Sequence, residues 1–293
     1  MNLPLDAFRG GVGGGEDGFD PHAVPLRDAA TVMLVRDGRS GLEVFMVRRT
    51  LSAAFAGGMY VFPGGAVDAA DAGAEVEPLC DGVTDAAASG QLELPRGGLA
   101  FWVAAIRECF EEAGVLLARS DGTGGMPGDM VRFDDEEALR RFEDHRRSVN
   151  AGTIGLVELC RREHLRLATD EIRYVSHWVT PVGERRRFDT RFFLARAPRA
   201  QEPLHDDSET IESFWVSPSA ALGRFRAGEL GMYPPTVSNL EFLLDHAGAD
   251  DALDAAARIG IPPRIQPRLR FGEDGRIVGV VMPWDPGFDE LPF

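Results

Sequence analysis

The chain contains no lysine, so all 31 of its basic residues are arginines, and against 47 acidic residues they leave a formal charge of −16. A general nucleic-acid binder needs clustered basic residues to meet a phosphate backbone, and this balance excludes that class. Any anionic ligand has to be met locally, by a few placed arginines. The uniform use of arginine is read as a bias of composition. Cysteine is scarce as well: Cys80, Cys109 and Cys160 stand far apart, without CxxC or Cys/His ligand spacing. Neither a disulfide framework nor a structural zinc site is indicated, and a reducing compartment fits. No apolar run approaches the ~20 residues of a membrane helix. The longest, Leu99 to Ile106, reads as the start of a buried helix. The first residues lack the basic flank and apolar core of a secretory signal and the Arg-rich character of a transit peptide. The closing DELPF is not a retention or peroxisomal tripeptide, so cytoplasm is the expected location.

What is present is the 44% apolar content of a folding chain, and 293 residues suit one elaborated domain or two small ones. Residues 1–28, rich in Gly, Asp and Pro, are expected to form a flexible tail. ATVMLVRDG and LEVFMVRRT, separated by a turn sequence, predict an antiparallel hairpin over about 29–36 and 42–49. Met59 to Phe62 reads as a third strand running into Pro63-Gly64-Gly65. Residues 69–98 lack pattern and are expected to be an inserted loop with at most a short helix. From Leu99 to about Arg119, apolar residues recur at helical spacing with Gly114 near the end. Residues 134–168 read as a helical hairpin. Strand character returns in HWVTPVGE, RRFDTRFFLARA and ESFWVSP, and PSAALGRFRAGE and TVSNLEFLLDHA read as helices. Two last strands flank an Asp274-Gly275 turn. Without a regular βαβ repeat, the fold class is α/β with a mixed sheet flanked by helices.

Chemistry concentrates in Arg107-Glu108-Cys109-Phe110-Glu111-Glu112-Ala113-Gly114-Val115. Glutamates at i, i+3 and i+4 share one helical face, where their like charges repel unless a cation compensates. Hard divalent ions favour such oxygen ligands and leave positions for water and phosphate oxygens. An E-x-x-E-E stretch is more often a solvated face. Here the helix is too apolar to be wholly exposed, and Tyr60-Val61-Phe62-Pro63-Gly64-Gly65 supplies a strand ending in a glycine pair that a ligand can approach closely.

These residues resemble the Nudix hydrolase superfamily. Arg107 to Val115 matches R-E-U-x-E-E-x-G-U, U being bulky and apolar, with Cys109 the one loose fit. The full box opens with G-x5-E-x7 before the arginine, and position 99 is Leu rather than Glu. With Gly65 as the box glycine the acid falls at Asp71, and 28 extra residues then separate the halves. An interrupted box of this kind resembles the peroxisomal-type coenzyme A diphosphatases, through Phe62 to Asp68, Ala104 to Leu117, Trp178 to Pro181, Arg187 to Phe193 and Met232 to Thr236. The coenzyme A signature aligns at Arg49, Gly58 and Phe62 to Gly65, with Thr50 for Ser, and departs from pattern at Val47 and Ala54.

The resemblance implies a Nudix fold over 29–293, a single domain carrying insertions at about 69–98 and 134–168. It also implies a magnesium-dependent diphosphatase, with manganese as the alternative ion. Glu108, Glu111 and Glu112 are the implied metal ligands, Arg107 their orienting partner and Glu108 the first choice of general base. A downstream acid can share that role, with Glu209 ahead of Glu212. Arg49, Gly64, Gly65, Arg187 and Arg191 are the expected substrate contacts, though Arg187, Asp189 and Arg191 could equally line the solvent face of a sheet. His177 is expected to be structural. No G-x-S-x-G or Ser/His pattern supports a serine nucleophile. The implied substrate is a small diphosphate, coenzyme A or its acyl esters first, with NADH, ADP-ribose or a nucleotide sugar as the alternative. A nucleotide-binding sensor of the same fold that cuts nothing is the competing class. A homodimer is compatible with this reading.

Overall fold

The computed structural model describes residues 20–50, 56–122, 128–206, 210–273 and 276–291. Strands β1 (Leu26–Gly38) and β2 (Gly41–Arg49) form the expected hairpin, followed by β3 (Tyr60–Val61) and β4 (Gly64–Ala66). Helices α1 (Asp85–Leu92) and α2 (Leu99–Ala113) come next, then β5 (Ala118–Ser120), α3 (Glu136–Asn150), α4 (Leu156–Glu163) and β6 (Leu165–Leu167). The chain continues through β7 (Ile172–Val179), β8 (Arg187–Arg196), β9 (Thr210–Val216), α5 (Pro218–Arg226), α6 (Pro234–Leu243) and α7 (Ala249–Ala257). It closes with β10 (Arg264–Ile265), β11 (Arg268–Phe271) and β12 (Ile277–Val281).

The main sheet runs β10-β7-β8-β1-β2-β3, with β4 paired to β1 and β9 to β2. It is mixed: β1 lies parallel to β8 and β7 parallel to β10, while the other pairs are antiparallel. Because successive side chains of a strand point to opposite faces, β1 divides its residues between two cores. Ala30, Val32 and Leu34 meet α2 through Trp102, Ile106 and Phe110. Met33 and Val35 face α5, α6 and α7 through Leu222, Leu240 and Ala252. A sheet between helical layers is the Nudix arrangement that the sequence implied. Each core buries large apolar side chains, at about 1.5–3 kcal/mol for each one fully removed from water.

Four details differ from the sequence reading. The helix expected from Leu99 to about Arg119 stops at Ala113, where Gly114 takes the left-handed conformation, and Ala118–Ser120 is β5, paired with β6. Residues 26–28 belong to β1 rather than to a tail, because β8 extends far enough to pair Leu26 with Arg187 and Asp28 with Asp189; residues 1–19 lie outside the described set. Helix α7 was not anticipated: its buried positions are Ala249, Ala252 and Ala256, too small to stand out as hydrophobic periodicity. The 69–98 insertion does contain a single short α-helix as expected, together with two 3-10 turns, but it is packed rather than loose. Val76, Cys80, Ala88 and Leu92 sink into the α2-side core. The insertion is also tied down by polar contacts, Arg166 Nε donating to Asp81 at 2.6 Å and Thr169 Oγ1 to the Asp81 carbonyl at 2.6 Å. The expected Asp274-Gly275 turn between the two last strands lies outside the described set. No helix among the described residues is long and apolar enough to cross a membrane.

Candidate active site

Helix α2 is buried nearly all round, which explains why its stretch is so apolar, and it ends at Gly114 in the left-handed conformation (φ 69°), whose N–H reaches the Phe110 carbonyl at 3.0 Å. An L-residue is strained at that φ, so glycine makes the stop cheap. From α3, Arg146 Nε donates to the Glu111 carbonyl at 2.9 Å. The helical hairpin thus caps the end of α2 that carries the acids and satisfies a carbonyl the helix leaves open.

The two halves of the interrupted motif meet in space. Arg107 Nε donates to Asp71 Oδ1 at 3.0 Å and Nη2 to Asp71 Oδ2 at 3.0 Å, a two-pronged pair across 36 residues. The same guanidinium donates to the Ala66 carbonyl at 2.7 Å and to Glu108 Oε1 and Glu111 Oε2 at 2.9 Å each. Such planar, charge-assisted bonding suits arginine and not lysine. Burial opposes the charge of Arg107, yet Asp71, Glu108 and Glu111 together raise its pKa further above the usual arginine range. The intervening residues 72–98 therefore loop out without disturbing the site.

Strand β4 completes the construction. Gly65 faces α2, and a Cβ built on it would lie 2.4 Å from Glu108 Oε1 and 2.6 Å from its Cδ, so only glycine leaves room for that carboxylate. Gly64 lies against β1, where a Cβ would come within 2.6 Å of the Ala30 carbonyl oxygen. Its N–H donates to Glu112 Oε2 at 3.0 Å, while Arg49 Nη1 approaches Glu112 Oε1 at 3.3 Å. Glu108 and Glu112 are only 9% and 4% exposed. Burial first, and then the neighbouring charge of Glu112, push the Glu108 carboxyl up to about 8, against the pull of Arg107. Glu111 is also raised, chiefly by burial, with Arg107 opposing. Two buried carboxylates pressed together in this way are electrostatically short of positive charge.

All four residues of the α2 motif open onto a cleft of about 870 Å³, of the size that takes a small-molecule ligand. Of the sequence-derived substrate contacts, Arg49, Gly64 and Gly65 line it. Arg187 and Arg191 do not. Alternation does place them on one face together with Asp189, but it is the α2 face: Arg191 stacks over the Phe101 ring and pairs with Asp189, and Arg187 donates to the Thr180 carbonyl at 3.2 Å. The cleft floor is made instead by the intervening residues Phe188, Thr190 and Phe192, with Trp178 beside them. His177, expected to be structural, is buried, lies 2.6 Å from Asp189 and does not line the cleft. Glu212 accepts from the Tyr60 hydroxyl at 2.9 Å and lies outside the cleft lining; Glu209 falls outside the described residues.

Sequence reasoning missed several cleft residues, among them Arg27, Val149, Asn150, Glu184 and Arg186. Alternation in β1, once paired with β8, could have pointed to Arg27, while those of the α3 end and the β7–β8 loop carry no local signal. Among the described residues, no group of three or more His, Cys, Asp or Glu side chains is gathered so that it could hold a metal ion.

Comparison with known proteins gives a consistent result. Residues 77–243 match the family model described as the NUDT19 Nudix domain. The acyl-coenzyme A diphosphatase NUDT19 of Gallus gallus is 28% identical over 271 residues, covering 80% of this chain and 72% of that protein. Its Homo sapiens counterpart is 29% identical over 242 residues, covering 72% of this chain and 63% of that protein, just under two thirds of its length. The crystal structure of a NUDIX hydrolase from Alicyclobacillus acidocaldarius superposes with a TM-score of 0.64 at 28% identity, over 82% of this chain and all of that one.

Proposed function

The chain belongs to the NUDT19 Nudix domain family, and from that premise we propose that it is a divalent-metal-dependent hydrolase that cuts the diphosphate linkage of coenzyme A or its acyl esters. The observation that carries this reading is the Glu108–Glu112 pair, buried at the head of the cleft, with Gly65 leaving room for the Glu108 carboxylate. The donor set suits magnesium or manganese: oxygen ligands only, more than one carboxylate, and open cleft on the remaining side. Glu108, Glu111 and Glu112 would hold the ion. When bound, it supplies charge neutralisation for the diphosphate oxygens and acidifies the attacking water.

The chain's own residues do the rest. Arg107, fixed by Asp71 and the Ala66 carbonyl, sets the positions of Glu108 and Glu111, and a misplacement of about 1 Å in such a site can cost a hundredfold in rate. Arg49 supports Glu112 and offers positive charge at the cleft wall, where negative charge builds up on the substrate. Glu108, at the head of the cleft, is our first choice for the group that accepts the proton of the attacking water. We keep the single-domain reading, 29–293 in the sequence, and would start it at Leu26, where β1 begins. The three cysteines are buried and free, which suits a reducing compartment such as the cytoplasm.

The test is product analysis after incubation with coenzyme A, acetyl-coenzyme A, NADH, ADP-ribose and a nucleotide sugar, with magnesium, with manganese and with chelator. Metal-dependent release of 3',5'-ADP and 4'-phosphopantetheine is expected. Cleavage of NADH or ADP-ribose alone would reassign the substrate, and tight nucleotide binding without cleavage of any compound would replace the enzyme by a sensor.

A further inference from the structure

The end of the cleft away from the carboxylates carries two arginines that the diphosphatase chemistry does not use. Arg27 on β1 and Arg186 just before β8 both line the cleft. Arg27 pairs in register with Phe188, and Arg186 immediately precedes β8, so both stand at the same end of the β1–β8 pair, where both line the cleft. Both are exposed, and neither side chain has an ion-pair or hydrogen-bond partner among the described residues. In a chain of formal charge −16, two adjacent cations left without an acid are unexpected. The nearest acid in sequence that lines the cleft, Glu184, makes no bond to either, and its own carboxyl is raised by burial alone.

Position separates these arginines from the reacting centre. Gly64, whose N–H holds Glu112, pairs with Thr31, and Arg27 stands four residues further along the same strand. At the usual strand rise that is about 13 Å between backbones, which sets Arg27 toward the far end of the cleft from the carboxylates. It suits a group beyond the diphosphate, on the nucleoside. Small side chains, Ala29, Thr31 and Ala66, line the way between, and Phe188 with Trp178 offers flat apolar surface beside the arginines. Trp178 is 3% exposed, yet its indole N–H meets no acceptor among the described residues.

We propose that Arg27 and Arg186 form a subsite for a phosphate esterified to the substrate's ribose, making the cleft selective for nucleoside diphosphate derivatives that carry this additional phosphate. The inference rests on the diphosphatase reading for its kinetics, but binding tests it independently. A 3'-phosphate, as in coenzyme A, and a 2'-phosphate, as in NADPH, present the same chemistry, and the experiment separates them.

The experiment compares kcat/KM for coenzyme A against 3'-dephospho-coenzyme A and for NADPH against NADH, using the wild-type chain and the Arg27→Gln/Arg186→Gln double variant. Both side chains are exposed, so the variant is expected to fold, as checked by its melting curve. The wild type should prefer the phosphorylated member of one pair by about tenfold or more, as expected for charge-assisted contacts to phosphate. The variant should lose that preference through the phosphorylated substrate alone. The responding pair identifies the ribose position. Absence of preference in both pairs, or a preference that survives in the variant, overturns the subsite. If the wild type cleaves nothing, the activity reading fails, and calorimetric binding of 3',5'-ADP and 2',5'-ADP against 5'-ADP decides the subsite: selective weakening of one bisphosphate in the variant supports it, and equal binding in both proteins removes it.

Discussion

Gly65→Ala is the smallest change that addresses the site's geometry. The added methyl would sit 2.4 Å from Glu108 Oε1 and 2.6 Å from Glu108 Cδ. Non-bonded carbon and oxygen do not tolerate such separations, so the carboxylate must withdraw by about 1 Å to reach ordinary contact, some 3.5 Å from the new carbon. Gly65 has no positive φ, so alanine adds no backbone strain of its own. Two terms follow. Overpacking costs about 1–3 kcal/mol of stability if the carboxylate is held in place; the cost is smaller if Glu108 swings into the cleft. Turnover should fall about a hundredfold, because a catalytic group has moved by about 1 Å. Thermal melting measures the first term, and metal-dependent hydrolysis under saturating substrate the second. A variant with full turnover and unchanged metal dependence would show that Glu108 is not positioned against β4 for catalysis, and the reasoning would be wrong.

Other outcomes follow from the same geometry. Glu112→Gln and Glu111→Gln should each lower turnover by orders of magnitude, with no fall in melting temperature of the metal-free protein, since a like charge is removed from a crowded face. Arg107→Ala should cost about 3–5 kcal/mol in denaturant unfolding, because Asp71, 3% exposed, is left buried without its partner; wild-type stability would show that the two halves of the motif are not coupled through this pair. Glu108 is raised from an ordinary value near 4.5 to about 8, so the folded state binds more protons than the unfolded one between those values. Stability of the metal-free protein should therefore decline as pH rises through that window. The apparent affinity for a divalent ion should climb by up to about tenfold per pH unit and level off above pH 8, where no proton remains to be displaced. A pH-independent affinity between 6 and 8 would contradict the assignment. Finally, Arg49→Met should raise KM, whereas Arg191→Met should leave kinetic constants within about twofold and alter stability only, since Arg191 packs beneath α2.

How much of this was legible in the sequence follows from where each signal was local. Helix α2 and the β1–β2 hairpin declared themselves through periodicity and turn residues, and the three glutamates share a face by helical geometry alone. Counting six residues on from Gly65, as G-x5-E requires, identified Asp71, and the structure brings that acid to Arg107. Spacing could not say that residues 72–98 loop out and pack; that depends on Cys80, Ala88 and Leu92 finding the α2-side core. Strand β8 shows the limit most clearly. Period-2 alternation grouped Arg187 with Arg191 correctly, but which face of a sheet carries the cleft is a tertiary fact, and here both faces are covered. The arginines lie beneath α2, and the residues between them, Phe188 and Thr190, line the cleft. The contribution of α3 to the cleft wall, through Val149 and Asn150, likewise depends on its docking at the end of α2.

The central claim is that the α2 carboxylates hold the ion on which cleavage depends. Manganese titration followed by electron paramagnetic resonance tests it without relying on any substrate, using the wild-type chain, Glu108→Gln and Glu112→Gln at pH 8. The account predicts saturable loss of the free-ion signal in the wild type and a shift of at least tenfold toward weaker binding in each variant, with melting temperatures undiminished. Equal titration curves for all three proteins would place the ion elsewhere and contradict it.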